Sequence, residues 1–285
     1  MADGAGTLLV GGYERTFHVV APDTPATALV LVLHGSDSDA AGMRELSGHA
    51  FDRLTDLGAV VAYPESYGGI WNDARLGTDA LARDLGIDDV DFLATLTTRL
   101  LGEYAVPAER VFAVGFSNGG QMVIRLVMQV PEMLAGAAVI GSNHATAENV
   151  LPEAAALDRH RPVPILTVNG TEDPIVPFEG GIPSVFGFKP RGPVLSSADS
   201  ARLLARRNGH TGDPTTEQVT SGPMPTTLTR WSADGRAPVH HYVIEGGGHT
   251  IPNGHHDAPA ILGRTQRDLD AGELVASFFG LAPQD

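Results

Sequence analysis

The decapeptide Val111-Phe-Ala-Val-Gly-Phe-Ser-Asn-Gly-Gly120 places a serine between glycines two residues before and two after it, Gly115-x-Ser117-x-Gly119. An apolar run precedes this pattern and a helical run follows it. That is the context of a nucleophile elbow, where a strand turns so tightly into a helix that the flanking positions must lack side chains. Such a turn pushes the serine hydroxyl out of the strand end and aims the helix N-terminus at whatever the serine attacks. A serine hydroxyl is barely ionised at neutral pH, so nucleophilic chemistry here requires a base and a group to orient it. On this type of turn the partners follow in the order acid, then histidine. Pro164-Ile-Leu-Thr-Val-Asn-Gly-Thr-Glu-Asp173 is an apolar strand running into a loop with two carboxylates. Asp173 is preferred over Glu172 because its stem is shorter and Pro174 stiffens the turn after it. Val239-His-His-Tyr-Val-Ile-Glu-Gly-Gly-Gly-His249 ends a strand in three glycines and a histidine, which lets the backbone carry His249 back over the strand ends. Tetrahedral oxyanions need two N–H donors. The amide after the nucleophile is Asn118, and the loop after the third strand, Leu33-His-Gly-Ser-Asp37, offers that of Ser36. The chemistry expected is acyl transfer through an acyl-enzyme, with activity falling on acidification as His249 protonates.

Other histidines fit this scheme less well. His240 and His241 are neighbours on a strand, so their rings face opposite ways and read as packing or surface groups. His255-His256-Asp257 lacks the second ligand cluster that a metal site needs, and no metal or other cofactor is expected. His144 lies in a loop without glycine punctuation. Trp71 and Asn72, after the fourth strand, are expected to bind substrate with Phe116 and Ile251, although Trp71 reads equally as a core or rim residue. Arg75 offers a partner for a substrate carboxylate but reads rather as a solvated loop residue.

The elements around these residues alternate. Strands are expected at Leu8–Val10, Tyr13–Val20, Ala28–His34, Ala59–Tyr63, Val111–Phe116, Ala137–Ile140, Ile165–Asn169 and Val239–Glu245. Several are continuous apolar runs, the signature of strands covered on both faces. Helical spacing covers Met43–Asp56, Asp88–Tyr104 (Val90, Leu93, Leu96, Leu100), Gly119–Val130 and Ser196–Asn208. This predicts a mostly parallel, eight-stranded, doubly wound α/β sheet. Residues 176–236 break the rhythm with prolines and glycines around one helix, and read as a loop-rich insertion before the last strand of a single domain, 1–285.

Composition narrows the function classes. The chain has 285 residues with no cysteine, which removes disulfides, thiolate catalysis and cysteine-ligated zinc. Its formal charge is -15, from 19 Lys+Arg against 34 Asp+Glu, which disfavours nucleic-acid binding and polyanionic esters and favours neutral ones. No stretch approaches the ~20 apolar residues of a membrane-spanning helix. The N-terminus lacks the basic start and apolar run of a signal peptide, so a cytoplasmic protein is expected unless the numbering begins after a removed leader.

Seven segments in order resemble the polyhydroxybutyrate-depolymerase family of α/β-hydrolase esterases, which includes feruloyl and acetylxylan esterases. They are Tyr13-Glu-Arg-Thr-Phe17, Leu33-His-Gly-Ser36, Ala62-Tyr-Pro-Glu65 with Trp71-Asn-Asp73, and Asp88-Asp-Val-Asp-Phe92, followed by Gly115-Phe-Ser-Asn-Gly-Gly120, Asn169-Gly-Thr-Glu-Asp173 with Val176-Pro-Phe-Glu-Gly-Gly181, and Gly246-Gly-Gly-His-Thr-Ile-Pro252. The resemblance implies the α/β-hydrolase fold, a Ser117-His249-Asp173 triad and an oxyanion hole at Ser36 and Asn118. Two positions depart from it: Ile251 stands where the family usually has Trp, and Ser36 where secreted members often have Cys. No polymer-binding domain or leader is visible either. The expected substrate is therefore a soluble ester of modest size, such as a hydroxyalkanoate oligomer, a hydroxycinnamoyl ester or an acetylated sugar. Thioesterase, amidase, peptidase and acyltransferase chemistry share these motifs and stay open, as does a non-catalytic binding protein on the same fold.

Overall fold

The computed structural model describes residues 2–281; Met1 and 282–285, the two ends of the expected domain, lie outside the described residues. Among the described residues ten strands form one sheet: β1 (Ala2–Val10), β2 (Tyr13–Ala21), β3 (Ala28–Leu33), β4 (Ala59–Pro64), β5 (Val111–Phe116), β6 (Gly136–Ile140), β7 (Ile165–Gly170), β8 (Thr215–Thr220), β9 (Thr226–Trp231) and β10 (Val239–Ile244). Their spatial order is β1-β2-β4-β3-β5-β6-β7-β10-β9-β8. The central run from β4 to β10 is parallel, and the outer pairs at both edges are antiparallel.

All residues of β3 and β5 are buried, as their unbroken apolar sequences require. Alternation sends Leu29, Leu31 and Leu33 into the core on one face and Val30 and Val32 into that on the other. Among the described residues there are seven α-helices: α1 (Ala40–Leu46), α2 (Leu81–Asp84), α3 (Asp89–Tyr104), α4 (Asn118–Gln129), α5 (Pro152–Ala156), α6 (Ser197–Arg207) and α7 (Ala271–Phe279). Side chains of α3, α4, α5 and α6 enter the first core, those of α1 and α7 the second, so the sheet is doubly wound. The Asp88 carboxylate caps α3 by accepting from the Val90 and Asp91 amides. Among the described residues no helix is long and apolar enough to cross a membrane.

Two expectations change. The sheet has ten strands rather than eight, because residues 215–231, expected to be loop, form the β8–β9 hairpin that extends the sheet beyond β10. The helix expected over Met43–Asp56 is broken: α1 ends at Leu46, Gly48 and His49 take positive φ (58° and 56°), and a 3-10 turn covers Asp52–Leu57.

The order reverses at β3, whose parallel neighbours are β4 on one side and β5 on the other. In open α/β sheets the crevice beyond the strand ends at such a point is where ligands bind. The loops after β3, β5, β7 and β10 carry Ser36, Ser117, Asp173 and His249.

Candidate active site

Ser117 joins β5 to α4 at φ 53° and ψ −117°, a conformation that L-residues rarely adopt. The glycines around it are sterically required. A Cβ on Gly115 would lie 2.2 Å from the Gly119 carbonyl oxygen, and one on Gly119 would lie 2.3 Å from that of Leu33. The strand and helix therefore touch backbone to backbone. The Ser117 amide donates to the Ile140 carbonyl (2.9 Å), which ties the turn to β6.

His249 reaches the same place from β10. A Cβ on Gly248 would meet the Leu262 carbonyl oxygen at 2.2 Å, and one on Gly170 would meet that of Gly247 at the same distance. The His249 amide donates to Leu262 (2.7 Å) and its ring packs on Phe116 at a centroid distance of 4.7 Å. Its Nδ1 lies 2.7 Å from Asp173 Oδ2. The second Asp173 oxygen accepts from the Ile175 and Val176 amides, both at 2.8 Å, so the carboxylate is held at both ends. Glu172, the alternative acid, is exposed. With Nδ1 donating to Asp173, the imidazole's Nε2 is left to accept a proton. Ser117 and His249 both face a cavity of about 290 Å³. That is the small end of the range for ligand pockets.

The loop after β3 forms one wall, through Gly35, Ser36, Asp37 and Ser38. His34 Nε2 accepts from the Ser66 amide (3.1 Å), which leaves the ring proton on Nδ1, where it donates to the Gly35 carbonyl (2.6 Å). Burial lowers the pKa of this ring and so works against its charged form. In a trans peptide the C=O and the next N–H point in opposite directions. Fixing the Gly35 carbonyl against His34 thus fixes the direction of the Ser36 N–H. Among the described residues, the turn and loop hydrogen bonds leave the Ser36 and Asn118 amides without an acceptor.

Of the four residues expected to bind substrate, Phe116 lines the cavity and the other three do not. Trp71 is fully buried: its indole N–H donates to the His34 carbonyl (3.0 Å) and its amide to Asn118 Oδ1 (2.8 Å). It joins the β3 loop to the elbow from behind. Asn72 is buried with its side-chain oxygen on Arg83 (2.9 Å), and Ile251 belongs to the core. Arg75, expected to be solvated, is buried against Asp73 (2.6 Å) and reaches the cavity wall. Asp73 also accepts from Thr78 and from the Asn118 side chain (2.7 Å), so one buried carboxylate supports both the elbow and Arg75. Sequence reasoning missed Arg191, Val185 and Phe186, which reach the cavity from the stretch expected to be irregular. His240 and His241 do face opposite ways, onto Phe278 and Ser197 respectively. Among the described residues no group of three or more His, Asp or Glu is arranged to hold a metal ion.

Residues 76–185 match the phospholipase/carboxylesterase family model. The putative esterase NocK of Nocardia uniformis subsp. tsuyamanensis is 30% identical over 292 residues, covering 96% of this chain and 81% of the relative. The chain belongs to the α/β-hydrolase esterases. Feruloyl esterase B of Piromyces equi is 29% identical over 80% of this chain, which spans only 40% of that longer relative. The acetyl xylan esterase structure from Aspergillus awamori matches the fold with a TM-score of 0.67 at 16% identity, covering 98% of this chain and all of the other. As an α/β-hydrolase esterase the protein is an enzyme of the carboxylesterase type.

Proposed function

We propose that this esterase hydrolyses small carboxylic esters through an acyl-enzyme on Ser117, with His249 as base, Asp173 as its orienting acid, and the Ser36 and Asn118 amides as the oxyanion hole. The observation that carries this reading is the convergence of Ser117 and an Asp173-held His249 on one cavity at the N-terminus of α4. Ser117 Oγ attacks the ester carbonyl while its proton passes to His249 Nε2, and the imidazolium is stabilised by Asp173. The two amides and the positive end of α4 face the developing oxyanion. Collapse expels the alcohol, which takes the proton from His249. Water then enters by the same route and releases the acid.

The reading takes residues 1–285 as one hydrolase domain. The cavity's small volume and apolar wall (Met43, Leu46, Phe116, Val176) favour compact substrates over a polymer strand. Hydroxyalkanoate oligomers, hydroxycinnamoyl esters and acetylated sugars fall in that class, and the names of two relatives, a feruloyl esterase and a bifunctional acetylxylan esterase/xylanase, mention the last two ester types.

A fluorophosphonate probe is expected to add one mass equivalent at Ser117 and to block hydrolysis of 4-nitrophenyl acetate. Ser117→Ala is expected to lose both labelling and, by roughly 10⁴-fold or more, turnover. Labelling at another residue, or an alanine variant that still turns over, overturns the assignment. Running the panel with thioesters, anilides and added alcohols separates hydrolysis of esters from the related acyl transfers.

A further inference from the structure

The cavity wall holds a buried cation with no anion. Arg191, on the segment that crosses the cavity after Phe186, is 6% exposed. Its Nη2 donates to the Ser36 hydroxyl (3.2 Å), while its Nη1 is buried with no hydrogen-bond partner. Among the described residues no carboxylate lies within ion-pair distance of it. The nearby Asp73 is taken up by Arg75, Thr78 and Asn118, and Asp37 is paired with Lys189 at 3.1 Å. Asp37 and Asp79 act on Arg191 only from farther away. A buried guanidinium without a partner is costly, and the cost shows as a lowered affinity for its own proton, caused by burial and then by neighbouring Arg75.

The position is held from its backbone. The Asn149 side-chain amide donates to the Arg191 carbonyl (3.1 Å), and a Cβ on Gly77 would lie 2.8 Å from that same carbonyl. The guanidinium is thus fixed beside Ser36, one residue from Gly35, which itself packs against Ser117.

We propose that Arg191 is a carboxylate-binding subsite, and that the preferred substrates are esters carrying a free carboxylate a few bonds from the scissile carbonyl. This rests on the esterase reading of the same cavity. A guanidinium presents a planar fork that matches a carboxylate in two parallel hydrogen bonds, and it does so best where water is excluded. A substrate carboxylate next to Ser36 supplies the acceptor that Nη1 lacks and the charge that Arg191 lacks. It also orients the ester, because Ser36 contributes its hydroxyl to the Arg191 contact and its amide to the cavity. The neutral substrates suggested by the overall charge of -15 give way to a local argument: the surface is acidic, but of the two arginines on the cavity wall only Arg75 has a buried carboxylate bonded to it.

The test compares monomethyl succinate, glutarate and adipate with the methyl esters of the matching monoamides, read as methanol release by the full chain. For at least one chain length kcat/KM is expected to favour the acid over the amide by tenfold or more. Arg191→Gln is expected to bring that ratio near one, and Arg191→Lys to keep part of it. Lys189→Gln, which removes an exposed cation two residues away, is expected to keep the ratio whole. A wild-type ratio near one at every length overturns the proposal, as does a high ratio that survives in Arg191→Gln or collapses in Lys189→Gln. If Arg191→Gln does not fold, judged by its thermal transition, Arg191→Lys decides, since a ratio identical to wild type there removes the bidentate argument. Failure of the esterase reading is told apart by 4-nitrophenyl acetate: if wild type cleaves it and Ser117→Ala does not, that reading stands whatever the acid-to-amide ratio.

Discussion

His34 occupies a position where a single hydrogen bond sets the direction of a proposed catalytic amide. The Ser66 amide on Nε2 dictates the tautomer, the Nδ1–H pins the Gly35 carbonyl, and the Ser36 N–H must then point the other way. Replacing His34 by Ala releases that peptide plane. Loss of an oxyanion donor costs up to about 10²–10³ in kcat, and a donor that is merely freed costs less, so a fall of about 10–100-fold in kcat is expected for 4-nitrophenyl acetate. KM is expected to stay within about threefold, because the effect falls on the transition state. An equal loss spread over KM would mark His34 as structural only. The types and order of Ser117, Asp173 and His249 were legible in the sequence because glycines that permit a tight turn are visible as letters. The role of His34 was not, since it depends on which carbonyl its ring meets. Trp71 stayed open between two readings for the same kind of reason: a tryptophan after a strand reads equally as a cavity wall or as a core residue, and only its bonds to His34 and Asn118 decide.

At the scale of elements, β10 carries the base at its end and a buried histidine in its middle. His241 is 4% exposed, bonded to the Thr167 hydroxyl (2.8 Å) and facing Ser197 of α6. Burial first, and Arg202 second, lower its pKa from 6.5 to about 4. The folded protein therefore keeps His241 neutral down to about pH 4, while the unfolded chain protonates it near 6.5. Between those values the unfolded state binds the extra proton, so stability is full above about 6.5 and falls as the pH drops toward 4. The loss from this one residue is at most about 3 kcal/mol. Urea titrations across that window should show a slope that is shallower in His241→Gln by up to one proton; equal slopes would contradict the burial argument. The central strands were readable because burial on both faces leaves unbroken apolar runs. The β8–β9 hairpin was not, because its outer strand, Thr215–Thr220, is largely exposed and its Thr, Glu and Gln residues carry no apolar alternation.

Across the whole molecule, segments far apart in the chain meet at one ion pair. Arg15 on β2 and Asp89 at the start of α3 are 1% and 0% exposed and 2.7 Å apart. The other Asp89 oxygen accepts from the Asn72 amide (2.8 Å), and the Arg15 guanidinium lies 3.9 Å from the Phe92 ring centroid. Three of the recurring motifs, those around Arg15, Trp71-Asn72 and Asp89, are thus the parts of one buried contact behind the Trp71 loop. Burial raises the Asp89 pKa against the opposing pull of Arg15. Asp89→Ala leaves Arg15 buried without its counter-charge and is expected to cost about 3–5 kcal/mol in chemical unfolding. The double variant Arg15→Met, Asp89→Leu should recover most of that. A single variant within 1 kcal/mol of wild type would show that water reaches the pair. Composition could not reveal this contact, because a net charge records how many ionic groups exist and not which of them are buried together.

The chain has one lysine, and it sits at the cavity rim, bonded to Asp37 on the wall and two residues from Arg191. Lys189 is 57% exposed, so it is the sole side-chain amine that an acylating dye or an activated resin can reach. Coupling chemistry that scatters over the lysines of most proteins would here place its one side-chain tag beside the mouth of the site. The same geometry makes amine-based immobilisation a poor choice for this enzyme and an environment-sensitive fluorophore a well-placed reporter of what enters it.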